Sequence, residues 1–123
     1  MQNLVNWIEI PATDFDRAVK FYSAILGVTI QPNEFFGTQM GFFPSDGTNV
    51  SGAVVKGENY APAATGGVLA YLNGGNDLTA VLNKVEAAGG MITVPKTQIS
   101  EEMGYFAMFK DSEGNMMALH SMK

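Results

Sequence analysis

Two stretches of the chain follow one plan. Asp14-Phe15-Asp16-Arg17-Ala18-Val19-Lys20-Phe21-Tyr22 opens the first, and Asp77-Leu78-Thr79-Ala80-Val81-Leu82-Asn83-Lys84-Val85 opens the second. Apolar residues fall at Phe15, Ala18, Val19 and Tyr22 in one and at Leu78, Val81, Leu82 and Val85 in the other. That spacing predicts an amphipathic helix in each. Each begins at an aspartate, whose carboxylate can accept a hydrogen bond from a free N–H of the first turn. Each runs out at a glycine, Gly27 and Gly90, and each follows a short apolar run, Val5 to Ile10 and Val68 to Leu72. Later turns also match: Phe42-Phe43-Pro44-Ser45-Asp46-Gly47 echoes Phe109-Lys110-Asp111-Ser112-Glu113-Gly114. Agreement in start, apolar offsets, end and later turn argues for a duplicated module of strand, helix and further strands. A duplicated sheet module tends to enclose a pocket between its halves, so function is to be sought there.

Size and composition narrow the choices. The chain has 123 residues, one domain's worth, with enough apolar content for a core. It contains no cysteine, which excludes disulfides, thiol nucleophiles and zinc–thiolate sites. The net charge is -5 and the 7 Lys and Arg are scattered singly, whereas nucleic-acid binding requires a clustered basic face. No apolar stretch is long enough to cross a bilayer, and the first residues carry no basic signal-peptide pattern, so a cytoplasmic protein is expected. His120 is the single histidine, so no site can hold several from one chain.

Module one, about residues 1–56, is expected to hold strands near Leu4–Ile10, Val28–Gln31, Thr38–Phe43 and Val50–Lys56, with a helix from Asp14 to Leu26. Pro32-Asn33 reads as an interruption and Pro44-Ser45-Asp46-Gly47 as a turn. Gly52 suits a close backbone approach. Residues 57–66, with Pro62 and three alanines, read as a linker that could also act as a lid. Module two, about residues 67–123, repeats the plan: strands near Val68–Leu72, Met91–Val94, Gly104–Lys110 and Met116–His120, and a helix from Asp77 to Ala88. Residues 95–103 read as irregular. Asp111-Ser112-Glu113-Gly114-Asn115 lacks the length and ligand spacing of a calcium loop and reads as a turn with Gly114 at positive φ. Gly74-Gly75 lacks the spacing and lysine of a phosphate loop. Asp14 and Arg17 read as helix-cap and surface residues.

Trp7-Ile8-Glu9-Ile10-Pro11-Ala12-Thr13-Asp14, with Arg17-Ala18, Phe21-Tyr22 and Leu26-Gly27, resembles the first module of the glyoxalase/bleomycin-resistance/dioxygenase superfamily, the vicinal oxygen chelate proteins. Gly104-Tyr105-Phe106-Ala107 and Asp111 to Leu119 resemble its closing motif. The resemblance covers nearly the whole chain. It implies an α+β fold of two tandem βαβββ modules in a cup-shaped, eight-stranded mixed sheet. It also implies a divalent metal in the cup, held by His, Glu or Gln side chains on four strands, and a homodimer.

The implied ligand positions are poorly filled in this chain. Counting back from the helix cap puts the first at Trp7, or Asn6 with a longer connector. The second falls among Ser51, Ala53 and Val55, the third near Val68 or Ala70, and the fourth at Ala118. Apolar side chains offer a divalent cation no lone pair, so no metal or other cofactor is expected. Alternation puts Trp7 and Glu9 on one face of the first strand and Met116, Ala118 and His120 on one face of the last. If both faces are inward, as the resemblance implies, Glu9 and His120 share the cavity. Glu9 could then serve as a general base, with His120 orienting it or relaying a proton. A lyase or isomerase related to glyoxalases is the first functional expectation. The alternative is a non-catalytic binder of a drug-like or aromatic small molecule. Trp7, Met40, Phe42, Tyr71, Tyr105 and Ala118 are the candidate pocket residues, with the Phe35-Phe36-Gly37 bend and the 57–66 linker at its mouth.

Overall fold

A computed structural model describes residues 5–35, 37–63 and 67–123. Two copies of one module lie in series. In the first, β1 (Trp7–Pro11) leads to α1 (Phe15–Leu26), followed by β2 (Gln31–Phe35), β3 (Thr38–Phe42) and β4 (Ser51–Lys56). In the second, β5 (Tyr71–Asn73) leads to α2 (Thr79–Val85), then β6 (Met91–Ser100), β7 (Gly104–Lys110) and β8 (Met116–Ser121). The duplicated βαβββ plan is thus present. Each module makes its own four-stranded mixed sheet, ordered β1-β4-β3-β2 and β5-β8-β7-β6, with the first strand parallel to the last. Among the described residues no ladder joins β1 to β5, so the eight strands form two sheets.

The first helix forms where its residues predict it. Asp14 is extended and accepts from the Arg17 amide at 3.1 Å, and Gly27 ends the helix at φ 64 in the left-handed region that favours glycine. Phe15, Ala18, Phe21, Tyr22 and Ile25 are the buried stripe. The second helix is shorter than its pattern suggests. Asp77 accepts from the Thr79 amide but is not the cap: Leu78 holds that position without a side-chain bond, and the helix runs from Thr79 to Val85.

Three strands depart from expectation, each for a reason connected with sheet edges. β2 is not the expected Val28–Gln31 strand: it begins at Gln31 and runs through Pro32-Asn33, because an edge strand has one side on which proline's missing N–H costs nothing. β6 extends through Pro95 to Ser100, where irregular chain is expected. It too is an edge strand, and three register shifts against β7 absorb its extra residues. β5 is three residues long, and the chain before it meets β8 through the Ala118 N–H to Ala70 O and Met116 N–H to Ala63 O bonds.

One apolar core serves both modules. Ile10, Phe21, Tyr22, Ile25 and Val54 of the first join Leu82, Val85, Phe109, Met117 and Leu119 of the second. Phe21 packs on Phe109 with ring centroids 6.1 Å apart. Gly52 allows the close approach of β4 to β1, since a Cβ there would lie 2.1 Å from the Ile8 carbonyl oxygen.

The polar fastening between modules is the 111–115 turn. Asp111 is buried and accepts from the Tyr22 hydroxyl at 2.6 Å and from the Asn115 side chain at 2.9 Å. Asn115 also donates to the Pro11 carbonyl at 2.7 Å, at the end of β1. Glu113 accepts from the amides of Thr13 and Asp14 at 2.8 and 2.6 Å and pairs with Arg17 at 2.6 Å. Burial and the neighbouring Asp111 push the Tyr22 phenol well above its ordinary range. For Glu113, burial acts upward, but the Arg17 bond, the Asp14 amide and Ser112 outweigh it and hold the carboxyl below its ordinary value. A depressed folded value means that this contribution to stability is present at neutral pH and is lost as pH falls through it.

Tyr22→Phe keeps the ring packing and removes one bond to a buried carboxylate. It should destabilise the fold by about 1.5–3 kcal/mol in chemical denaturation. A change near zero would mean that the turn does not fasten the modules.

Candidate functional site

Strand alternation separates a helix-facing side of each sheet from an outer side. Ile10, Val54, Ala107, Phe109, Met117 and Leu119 belong to the core, so their strand neighbours point the other way. On the first sheet this outer face carries Trp7, Glu9, Met40, Phe42, Ala53 and Val55. Glu9 lies level with Ala53, and Ala53 with Phe42. On the second it carries Tyr71, Met108, Ala118 and His120, with Tyr71 level with Ala118 and Ala118 with Met108.

Seven of the eight candidate residues therefore lie on these outer faces. Tyr105 does not: it shares the parity of Ala107, packs against the core, and has the Lys96 ammonium 4.6 Å from its ring centroid. The mouth elements are described in part, since Phe36 and residues 64–66 lie outside the described residues.

Glu9 and His120 are on different sheets, and no hydrogen bond joins them. His120 bonds through Nε2 to the Met103 carbonyl at 2.6 Å. Glu9 is half-buried and engaged at both oxygens: Tyr60 donates to Oε1 at 2.7 Å, and the Trp7 indole N–H reaches Oε2 at 3.3 Å. The bond to Glu9, with burial and the charge of Glu9 adding to it, raises the Tyr60 phenol above its ordinary range, so Tyr60 stays a donor. Tyr60 comes from the 57–66 linker. Its role as the partner of Glu9 had no periodic signal to reveal it; the one available clue was a lone phenol in a segment that borders the pocket.

Rings continue from this carboxylate. Trp7 and Phe42 have centroids 5.9 Å apart, and Phe35 meets Phe42 edge-on at 6.2 Å. Trp7 is 43% and Phe35 46% exposed, an open aromatic wall. Where β1 faces β5, a cleft of about 770 Å³ is lined by Trp7, Glu9, Ala63, Val68, Tyr71 and Met116, among others. His120 is not part of its lining. A second cleft of about 670 Å³, on the other side of the same seam, is lined chiefly by Ile8, Ile10, Leu26, Val28 and Leu72.

The sequence matches the Glyoxalase/Bleomycin resistance protein/Dioxygenase superfamily over residues 4–119. The chain belongs to this superfamily. A glyoxylase-like domain-containing protein of Didymella fabae is 32% identical over 120 residues, covering 94% of this chain and 91% of that protein. Among solved structures, TnmS3, an antibiotic binding protein from Streptomyces sp. CB03234, superposes with a TM-score of 0.70 at 22% identity, covering 97% of this chain and 95% of that one. Glyoxalase I from Zea mays superposes with a TM-score of 0.71 at 19% identity, covering 94% of this chain and 43% of that one. At these identities the structural likenesses establish the fold.

Membership raises the question of a metal, and the donor set answers it poorly. Residues level with one another within each sheet are Glu9 with Ala53 in the first and Tyr71 with Ala118 in the second. They provide one carboxylate, already engaged by two donors, one phenol, and two methyl groups. Among the described residues no three His, Cys, Asp or Glu side chains come together. This arrangement does not fit a divalent cation, which requires several oxygen or nitrogen ligands. No helix among the described residues is long and apolar enough to cross a membrane.

Proposed function

We propose that this superfamily member binds a small molecule with an aromatic or apolar body on the outer face of its first sheet, at the seam with the second. The observation that carries the reading is the continuous ring wall of Trp7, Phe42 and Phe35 beside a fixed carboxylate. Exposed aromatic surface beside a few placed polar groups is the usual make-up of a ligand site. The antibiotic-binding neighbour of the same fold is consistent with it. The catalytic expectation has less support, because Glu9 and His120 bond to different partners and a base needs its relay within hydrogen-bond reach.

Trp7 is the only tryptophan, so its fluorescence reports this face alone. A neutral aromatic such as para-tert-butylphenol should change that emission saturably and raise the melting temperature. Phe42→Ala should weaken the binding by about tenfold, the loss of part of one ring contact. No saturable change with any of a panel of aromatics, or full affinity in Phe42→Ala, would overturn the reading.

A homodimer is part of the same proposal. Val5 and Val68, 40% and 98% exposed, are apolar surface at the rim of the cleft for a second copy to cover, leaving the Trp7, Phe42 and Phe35 wall to the ligand. Light scattering at micromolar concentration should give twice the chain mass. A monomer at every concentration tested would contradict it.

A further inference from the structure

Among the described residues Glu9, on the proposed ligand face, forms no ion pair. Both oxygens of Glu9 are held by neutral donors, Tyr60 and Trp7. The ion pairs among the described residues are Arg17–Glu113 and Lys96–Asp77, neither of them at this face. A half-buried carboxylate without a cationic neighbour gives up part of its hydration and recovers only hydrogen-bond energy from neutral groups. The rings beside it have negative faces, and one of them, Trp7, is the best cation–π partner among side chains. Carboxylate and ring faces attract the same kind of group: a positive charge of low hydration carried on an apolar body. The chain's net charge of -5 adds a field of the same sign.

We propose that the ligand of this site is a small organic cation, an aromatic or aliphatic body bearing a quaternary or otherwise permanently protonated nitrogen. In the bound state the nitrogen lies against Glu9 and the Trp7 ring, and the apolar body runs along Phe42 and Phe35. A metal ion is a poor occupant for the reason given above, since Glu9 stands alone as a hard donor. An anion is disfavoured by Glu9 itself. This inference rests on the small-molecule reading and adds the charge of the ligand to it.

Two carbon–nitrogen isosteres separate the two claims. Para-hydroxyphenyl-trimethylammonium and para-tert-butylphenol have the same shape and differ by one positive charge. Titrated into the whole protein at low ionic strength and followed through Trp7 emission, the cation should bind at least about tenfold more tightly than the neutral compound. Added salt should narrow that ratio. Glu9→Gln keeps the side-chain shape and an oxygen to accept from Tyr60; it should bring the ratio of the two affinities to about one. Equal affinity of the two compounds for the unaltered protein would overturn the cation inference and leave the small-molecule reading standing. Binding of neither would overturn both. A preference that survives in Glu9→Gln would remove Glu9 from the account.

Discussion

The fastening of the 111–115 turn onto the start of α1 is the constraint on which the rest of the molecule depends. No strand ladder crosses between the two sheets among the described residues, so their relation rests on the shared core and on this turn. Asp111, Glu113 and Asn115 each reach the other module, to Tyr22, to Arg17 with the first amides of the helix, and to the last carbonyl of β1. Glu113 also stands at the positive end of the helix, where a carboxylate is favoured. Its side chain has no exposed surface, whereas Arg17 is half exposed. The strength of the contact therefore lies more in satisfying the buried carboxylate and the free amides than in the Coulomb attraction of a surface pair.

Holding the turn against the end of β1 sets the seam where β1 faces β5, and with it the clefts on either side. The same packing that turns Ile10, Val54 and Leu119 inward obliges Trp7, Glu9, Phe42 and Ala118 to point outward. The proposed ligand face is in this sense the reverse side of the core. At its middle level Ala53 and Ala118 are fully buried, so the accessible part of the face is the ring wall with Glu9. In this superfamily member the chemistry of the face is that of rings and one fixed carboxylate.

Much of this was legible in the residues. The duplicated helices, the Asp14 cap and Gly27 give the two modules, and alternation puts Trp7 with Glu9 on one strand face and Ala118 with His120 on another. What was not legible depends on edges and on contacts between segments far apart in the chain. Pro32 and Pro95 read as breaks because proline stops central strands, yet both lie on edge strands that tolerate them. Tyr105 falls on the helix side because β7 is read in phase with its buried neighbours Ala107 and Phe109, which a motif comparison does not register. Arg17 reads as a surface residue and the acidic turn as a mere turn, since nothing local reveals that one binds the other. The Glu9–Tyr60 bond joins a strand to a linker without periodicity, and the separation of Glu9 from His120 follows from the division into two sheets.

Metal binding by the untagged protein, titrated with nickel, zinc, manganese and iron(II) and read by calorimetry and elemental content, tests the central claim most directly. A face made of Glu9, Ala53, Tyr71 and Ala118 predicts no stoichiometric binding of any of the four ions. One tightly held ion per chain, lost in Glu9→Gln, would contradict the account and return the protein to the metal-dependent chemistry that its superfamily resemblance implies.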